Sequence, residues 1–152
     1  MEALKHIEKG ICQYIIPRYT RVCEIGVGQN FFAAQEIKKA GIVIFCTDIV
    51  EKKTHTTCDP PFFIDSVFSP TYSLYEGVEL IYAIRPHEEM ISALISLAAK
   101  VGSDLIVYHL GFEKFDGAVI IPHTSVPLFF YASHFSDRKQ EKKEIEKKSV
   151  FA

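Results

Sequence analysis

Three carboxylates and one glycine turn hold the chemistry that this sequence offers. Glu24, Gly26 and Gly28 stand in the run Val22-Cys23-Glu24-Ile25-Gly26-Val27-Gly28-Gln29-Asn30. A short apolar run that opens onto glycines and then onto a helical pattern predicts strand, turn and helix. Glycines there let the backbone approach a ligand closely, and the helix start offers N–H groups with no partner. Asp48 closes a second apolar run, Ile42–Thr47, twenty residues after Gly28. An acid at that distance suits the hydroxyls of a ribose. Asp65 closes a third run, Phe62–Ile64. One polar strand end is ordinary; three acids around a Gly-x-Gly turn point to a nucleoside site. Neighbouring parallel strands lie ~4.8 Å apart, so three strand ends span about 10 Å, the reach of an adenosine. Glu24 and Asp48 are both expected to point into the crevice beyond the strand ends, where open α/β sheets bind ligands.

Arg85 and His87 flank Pro86 after a fourth apolar run, Val78–Ile84. Arg85 is a permanent cation with a forked donor face, suited to a carboxylate or a phosphate. It is open to a salt bridge with Glu24 or a helix acid, or to a substrate or cofactor carboxylate. His87 titrates in the range a general base needs, although an exposed histidine in a first turn has the same pattern. Asp59-Pro60-Pro61-Phe62 precedes the third strand and reads as a rigid linker. His55 and Cys58 have no matching second pair, so no zinc site is expected.

The elements that must position these residues alternate. Residues 3–16 place Leu4, Ile7, Ile11 and Ile15 at helical spacing, and Pro17 stops that helix. A second helix is expected from about Asn30 to Ala40. Ile42–Thr47 reads as a strand buried on both faces. Ser69-Pro70 predicts a short helix to Glu76. Pro86–Val101 reads as the strongest helix, with Glu88 and Glu89 early and Gly102 after it. Asp104–Leu110 is a further strand, and Ala118–Ile121 with Val126–Ala132 predict a final hairpin. The fold class is therefore α/β, with a mostly parallel sheet and a C-terminal antiparallel hairpin. The Lys52–Pro61 and Gly111–Gly117 links are too thin for crossover helices, so the fold is trimmed.

The chain has 152 residues, 48% apolar and 24% charged, which fits one folded domain and excludes a disordered or fibrous chain. No apolar run approaches the ~20 residues of a membrane helix, and residues 1–9 have no signal-peptide core. The expected location is cytoplasmic, with Cys12, Cys23, Cys46 and Cys58 reduced. Residues 133–152 carry six basic and four acidic residues, whereas the rest carries eleven basic and fifteen acidic, a net −4. An acidic body disfavours bulk nucleic-acid binding, which draws its affinity from lysine and arginine. The division expected is a domain over residues 1–133 and a charged tail over 134–152. The edge of the final hairpin and the apolar N-terminal helix are the surfaces offered for pairing into a homo-oligomer.

Glu-x-Gly-x-Gly after the first strand, with acids after the second and third, resembles the cofactor site of class I S-adenosylmethionine-dependent methyltransferases. That resemblance implies a Rossmann-like fold and S-adenosylmethionine as cofactor. It implies that Glu24, Gly26 and Gly28 hold the methionine portion, that Asp48 holds the ribose and that Asp65 contacts adenine. Asn30 stands where the superfamily often has a third glycine, and asparagine tolerates left-handed backbone. Glu24–Gly28, Thr47-Asp48-Ile49, Asp65–Pro70 and Ile81–Pro86 together resemble a small archaeal uncharacterised family that is methyltransferase-like by fold. In methyltransferases the turn after the fourth strand faces the methyl group and the acceptor, which puts Arg85 and His87 there. The reading is a methyltransferase whose acceptor stays open. The alternatives are a non-catalytic nucleotide-binding or interaction protein on this fold, and a nicotinamide dinucleotide-binding module, which an acid ahead of the glycines weakens.

Overall fold

The computed structural model describes residues 2–51, 59–109 and 117–150. His55, Cys58 and most of the Lys52–Pro61 link lie outside them, as do Leu110 and all of the Gly111–Gly117 link but its last residue. In chain order the elements are α1 (Glu2–Ile15), β1 (Arg21–Ile25), α2 (Phe32–Lys39), β2 (Val43–Asp48) and β3 (Phe62–Ile64). A 3-10 turn (Tyr72–Tyr75), β4 (Leu80–Ile84), α3 (Met90–Val101) and β5 (Asp104–Tyr108) follow. The hairpin β6 (Val119–Ile120) and β7 (Phe129–Ser133) then leads into α4 (His134–Val150).

The strands form one sheet in the order β3-β2-β1-β4-β5-β7-β6. The first five are parallel. β7 runs antiparallel to β5, and β6 antiparallel to β7. The order reverses between β1 and β4, and such a switch point opens a crevice at the carboxyl edge of a sheet. One face is covered by α1 and α2 over Val22, Ile44, Leu80 and Ile106. The other is covered by α3 and the 3-10 turn over Cys23, Ile81, Leu105 and Val107.

Several elements differ from the sequence reading for physical reasons. β2 is covered on both faces over Ile44–Thr47, but its first residue, Val43, is 59% exposed, since β3 pairs only with Cys46–Asp48. α3 begins at Met90 rather than Pro86. Residues 86–89 form a tight turn instead, in which Met90 N donates to His87 O (2.9 Å) and Ile91 N to Glu88 O (3.1 Å). Ser69 caps no helix; its N–H turns back to Ser66 O (3.1 Å), and only Tyr72–Tyr75 wind into a 3-10 turn. α1 does not offer its apolar face for pairing, since Ile11 and Ile15 are buried in the core. Val119 and Ile120 on β6 are exposed. Cys12, Cys23 and Cys46 are buried free thiols. Among the described residues no helix is long and apolar enough to cross a membrane.

α1 packs so closely under the hairpin turn that Gly10 has no room for a side chain. A Cβ there would stand 2.7 Å from Ser125 Oγ and 2.9 Å from both methyls of Val126, which is itself buried. Gly10→Val is therefore expected to destabilise by about 1–3 kcal/mol through overpacking. Thermal unfolding would read this as a melting point lower by several degrees.

Candidate functional site

The crevice is built by the turn after β1. Gly26 (φ +75°) and Gly28 (φ +59°) both lie in the left-handed region. A Cβ on Gly26 would meet only Met90 Cε, at 3.7 Å, so conformation rather than space demands glycine here. Gly26 N donates to Thr47 O (2.9 Å), which ties the turn to β2. Gly28 N donates to Asp48 Oδ2 (2.9 Å), and Ile49 N donates to Asp48 Oδ1 (2.7 Å). The carboxylate that closes β2 thus also shapes the glycine turn. Asp65 closes β3 and accepts from Thr71 N (3.1 and 3.2 Å) and from the Tyr75 hydroxyl (2.7 Å). It folds residues 66–75 back over the sheet edge.

Gly26, Gly28, Asp48, Asp65, Arg85 and His87 line one cavity of about 340 Å³, with Ile49, Val50, Phe68 and Met90 as its apolar walls. That volume lies within the ~300–1,000 Å³ usual for small-ligand sites. Arg85 is left-handed at φ +51°, a conformation that costs a non-glycine residue about 1–3 kcal/mol and clusters at functional sites. Its N–H donates to Tyr108 O (2.7 Å), and its guanidinium lies 5.3 Å from the centre of the Tyr108 ring. Neither expected ion pair forms: among the described residues Arg85 has no acidic partner. His87 is exposed on the rim.

Two expected contributors stand elsewhere. Glu24 does not point into the crevice. It pairs in register with Cys46, two residues short of Asp48, and its side chain turns toward α1. It is 2% exposed and accepts from the Tyr82 hydroxyl (2.7 Å). Burial pushes its carboxyl up to about 8; the Tyr82 hydrogen bond opposes this, and the charges of Glu8 and Asp48 add to it. Asn30 also lies off the cavity. Its Nδ2 donates to Glu8 Oε1 (3.0 Å) and its Oδ1 accepts from Phe32 N (3.1 Å), at the start of α2.

Glu8 and Tyr82 escaped the sequence reading. Glu8 is 3% exposed, and its Oε2 is buried with no hydrogen-bond partner. The signal was present, since position 8 falls on the helical stripe of Leu4, Ile11 and Ile15, where a charge is out of place. Asp59 is likewise no part of the cavity. Gln35 Nε2 donates to its carboxylate and Lys38 Nζ to its carbonyl (3.2 Å), which fastens the Pro-Pro link to α2.

Residues 9–125 match the family described as Uncharacterised protein family (UPF0146). The chain belongs to this family. A UPF0146 protein from Archaeoglobus fulgidus is 32% identical over 111 residues, 72% of this chain and 84% of the relative. One from Methanothermobacter thermautotrophicus is 37% identical over 89 residues, 58% of this chain and 62% of the relative. Among solved structures, the chain is similar to a magnesium protoporphyrin IX methyltransferase from Synechocystis with bound S-adenosylhomocysteine. The TM-score is 0.56 at 14% identity, over 82% of this chain and 80% of that one. It is also similar to an S-adenosyl-L-methionine methyltransferase from Silicibacter pomeroyi, with TM-score 0.50 at 14% identity over 81% and 88%. At such identities the likeness shows the fold: this UPF0146 member has a Rossmann-like methyltransferase fold, mostly parallel with antiparallel C-terminal strands.

Proposed function

We propose that residues 1–133 bind S-adenosylmethionine in the crevice, that the protein is a methyltransferase, and that residues 134–152 are a charged tail. The observation that supports this most is the Gly26–Gly28 turn held by Asp48 beside Asp65, at the switch point between β1 and β4. The acceptors and apolar walls suit the cofactor. Asp48 would take the ribose hydroxyls, Asp65 the exocyclic amine of adenine, and Ile49, Val50 and Phe68 the flat faces of the base. Glu24, held by the Tyr82 hydroxyl inside the sheet, would take no direct part in these contacts.

The bound cofactor supplies an activated methyl group, so the protein has mainly to position an acceptor in line and exclude water. Arg85 forms the opposite wall, a cation without an acidic partner among the described residues. It would orient an anionic group, on the acceptor or on the cofactor itself, through its forked donors. His87, on the rim of the same cavity, would take a proton from the acceptor.

Calorimetry with S-adenosylmethionine, S-adenosylhomocysteine, NAD and ATP tests the reading. The expected result is saturable binding of the first two, with S-adenosylhomocysteine at least as tight. No binding of S-adenosylmethionine or S-adenosylhomocysteine at millimolar concentration would leave a non-catalytic interaction protein in its place.

A further inference from the structure

The crevice is not the largest cavity. One of about 510 Å³ lies where the hairpin turn folds over α1, and it shares no lining residue with the crevice. Its walls include Tyr14 and Arg18 from the end of α1 and the turn after it, His123 and Ser125 from the hairpin turn, and Phe130 from β7.

The Arg18 guanidinium lies over the Tyr14 ring, 4.1 Å from its centre, and Nη1 donates to Tyr14 O (2.9 Å). Among the described residues it has no acidic partner. Phe130 meets the same tyrosine edge-on, with centroids 6.2 Å apart. His123 is left-handed at φ +62°. Among the described residues only Arg85 and His123 combine a side chain with a left-handed backbone, and each lines one of these two cavities. Histidine enters this region more readily than most side chains, so the turn presents an imidazole at the cavity without needing glycine. A neighbouring hollow of about 430 Å³ shares Tyr14, Arg18 and Phe130 and adds Lys139. No carboxylate lines either hollow among the described residues, although acids outnumber bases over residues 1–132.

We propose that this second cavity binds a nucleoside monophosphate, its phosphate held by Arg18 and His123 and its base stacked on the Arg18–Tyr14 pair beside Phe130. A guanidinium already lying on a ring offers its outer plane to a base, and its forked donors suit a phosphate. An aromatic surface without such cations would not select an anion, and cations without rings would not select a base. The assignment stands apart from the S-adenosylmethionine reading and uses none of its residues.

Calorimetry with AMP on the full chain saturated with S-adenosylhomocysteine, which fills the crevice, tests it. AMP is expected to bind one further site with sub-millimolar affinity. Adenosine and inorganic phosphate should each bind roughly tenfold more weakly, having lost one of the two contacts. Arg18→Gln should weaken AMP about tenfold, and His123→Asn, which keeps the left-handed turn, should weaken it several-fold. Asp48→Ala should leave this binding unchanged. Four results would each overturn the proposal: no heat with AMP at millimolar concentration, phosphate binding as tightly as AMP, AMP binding unaffected by Arg18→Gln, or AMP binding abolished by Asp48→Ala. A single-stranded oligonucleotide binding far more tightly than AMP would also overturn it and reassign the groove to nucleic acid.

Discussion

Asp48→Ala is expected to weaken S-adenosylhomocysteine binding by more than tenfold while leaving the far-ultraviolet circular dichroism unchanged. Each hydrogen bond to a charged acceptor contributes roughly 1.5–3 kcal/mol, and about 1.4 kcal/mol is a tenfold change. The substitution would remove the ribose contact and also the acceptor that holds the Gly28 N–H. Asp48→Asn separates the two effects. It keeps an oxygen for Gly28 and loses the charge, so its affinity should fall between wild type and Asp48→Ala. Calorimetry on the three proteins gives the order. Wild-type affinity in both variants would take Asp48 out of the site.

Glu24 sets how stability depends on pH. Its carboxyl is raised to about 8 in the folded chain, against 4.5 for the ordinary group. The folded state therefore holds a proton that the unfolded state has released across that window. Stability then falls as pH rises from about 4.5 to about 8, by up to roughly 1.4 kcal/mol per pH unit from this one group. Glu24→Gln keeps an acceptor for the Tyr82 hydroxyl and has nothing to titrate. Urea unfolding at pH 5.5 and pH 8 should show the wild type losing stability at the higher pH and Glu24→Gln losing much less. Equal slopes in the two proteins would mean that Glu24 titrates normally.

The parts of this fold that rest on local pattern were legible in the sequence. β3 and β6 lie within the runs that predicted them and β7 passes the end of its run by one residue, because apolar runs bounded by turn residues specify them locally. The glycine turn and Asp48 were equally plain. What escaped depends on register and on the third dimension. Glu24 reads as a strand-end acid, yet pairing with Cys46 places it inside the sheet, under α1. The proline at position 86 reads as a helix start, yet the left-handed Arg85 before it turns the chain once more before α3 begins. The second cavity gave no warning, since Arg18 and His123 are more than a hundred residues apart and neither belongs to a motif.

Asp104, at the start of β5, is wholly buried, and it accepts from the Tyr19 hydroxyl (2.7 Å) and from Ser136 N (3.0 Å) and Oγ. Those partners lie 85 residues before it and 32 after it. Closing loops of that length costs entropy that early local structure does not return, so contacts of this kind form late in folding. A chain emerging from synthesis amino-terminus first lacks Ser136 until nearly the whole domain is made. The amino edge of the sheet is therefore sealed last, by the first turn of α4, whose Arg138 donates to Gly102 O (2.6 Å) beside the same strand. The buried Asp104 carboxylate thus gains its last partners only from a helix that the crevice itself does not use.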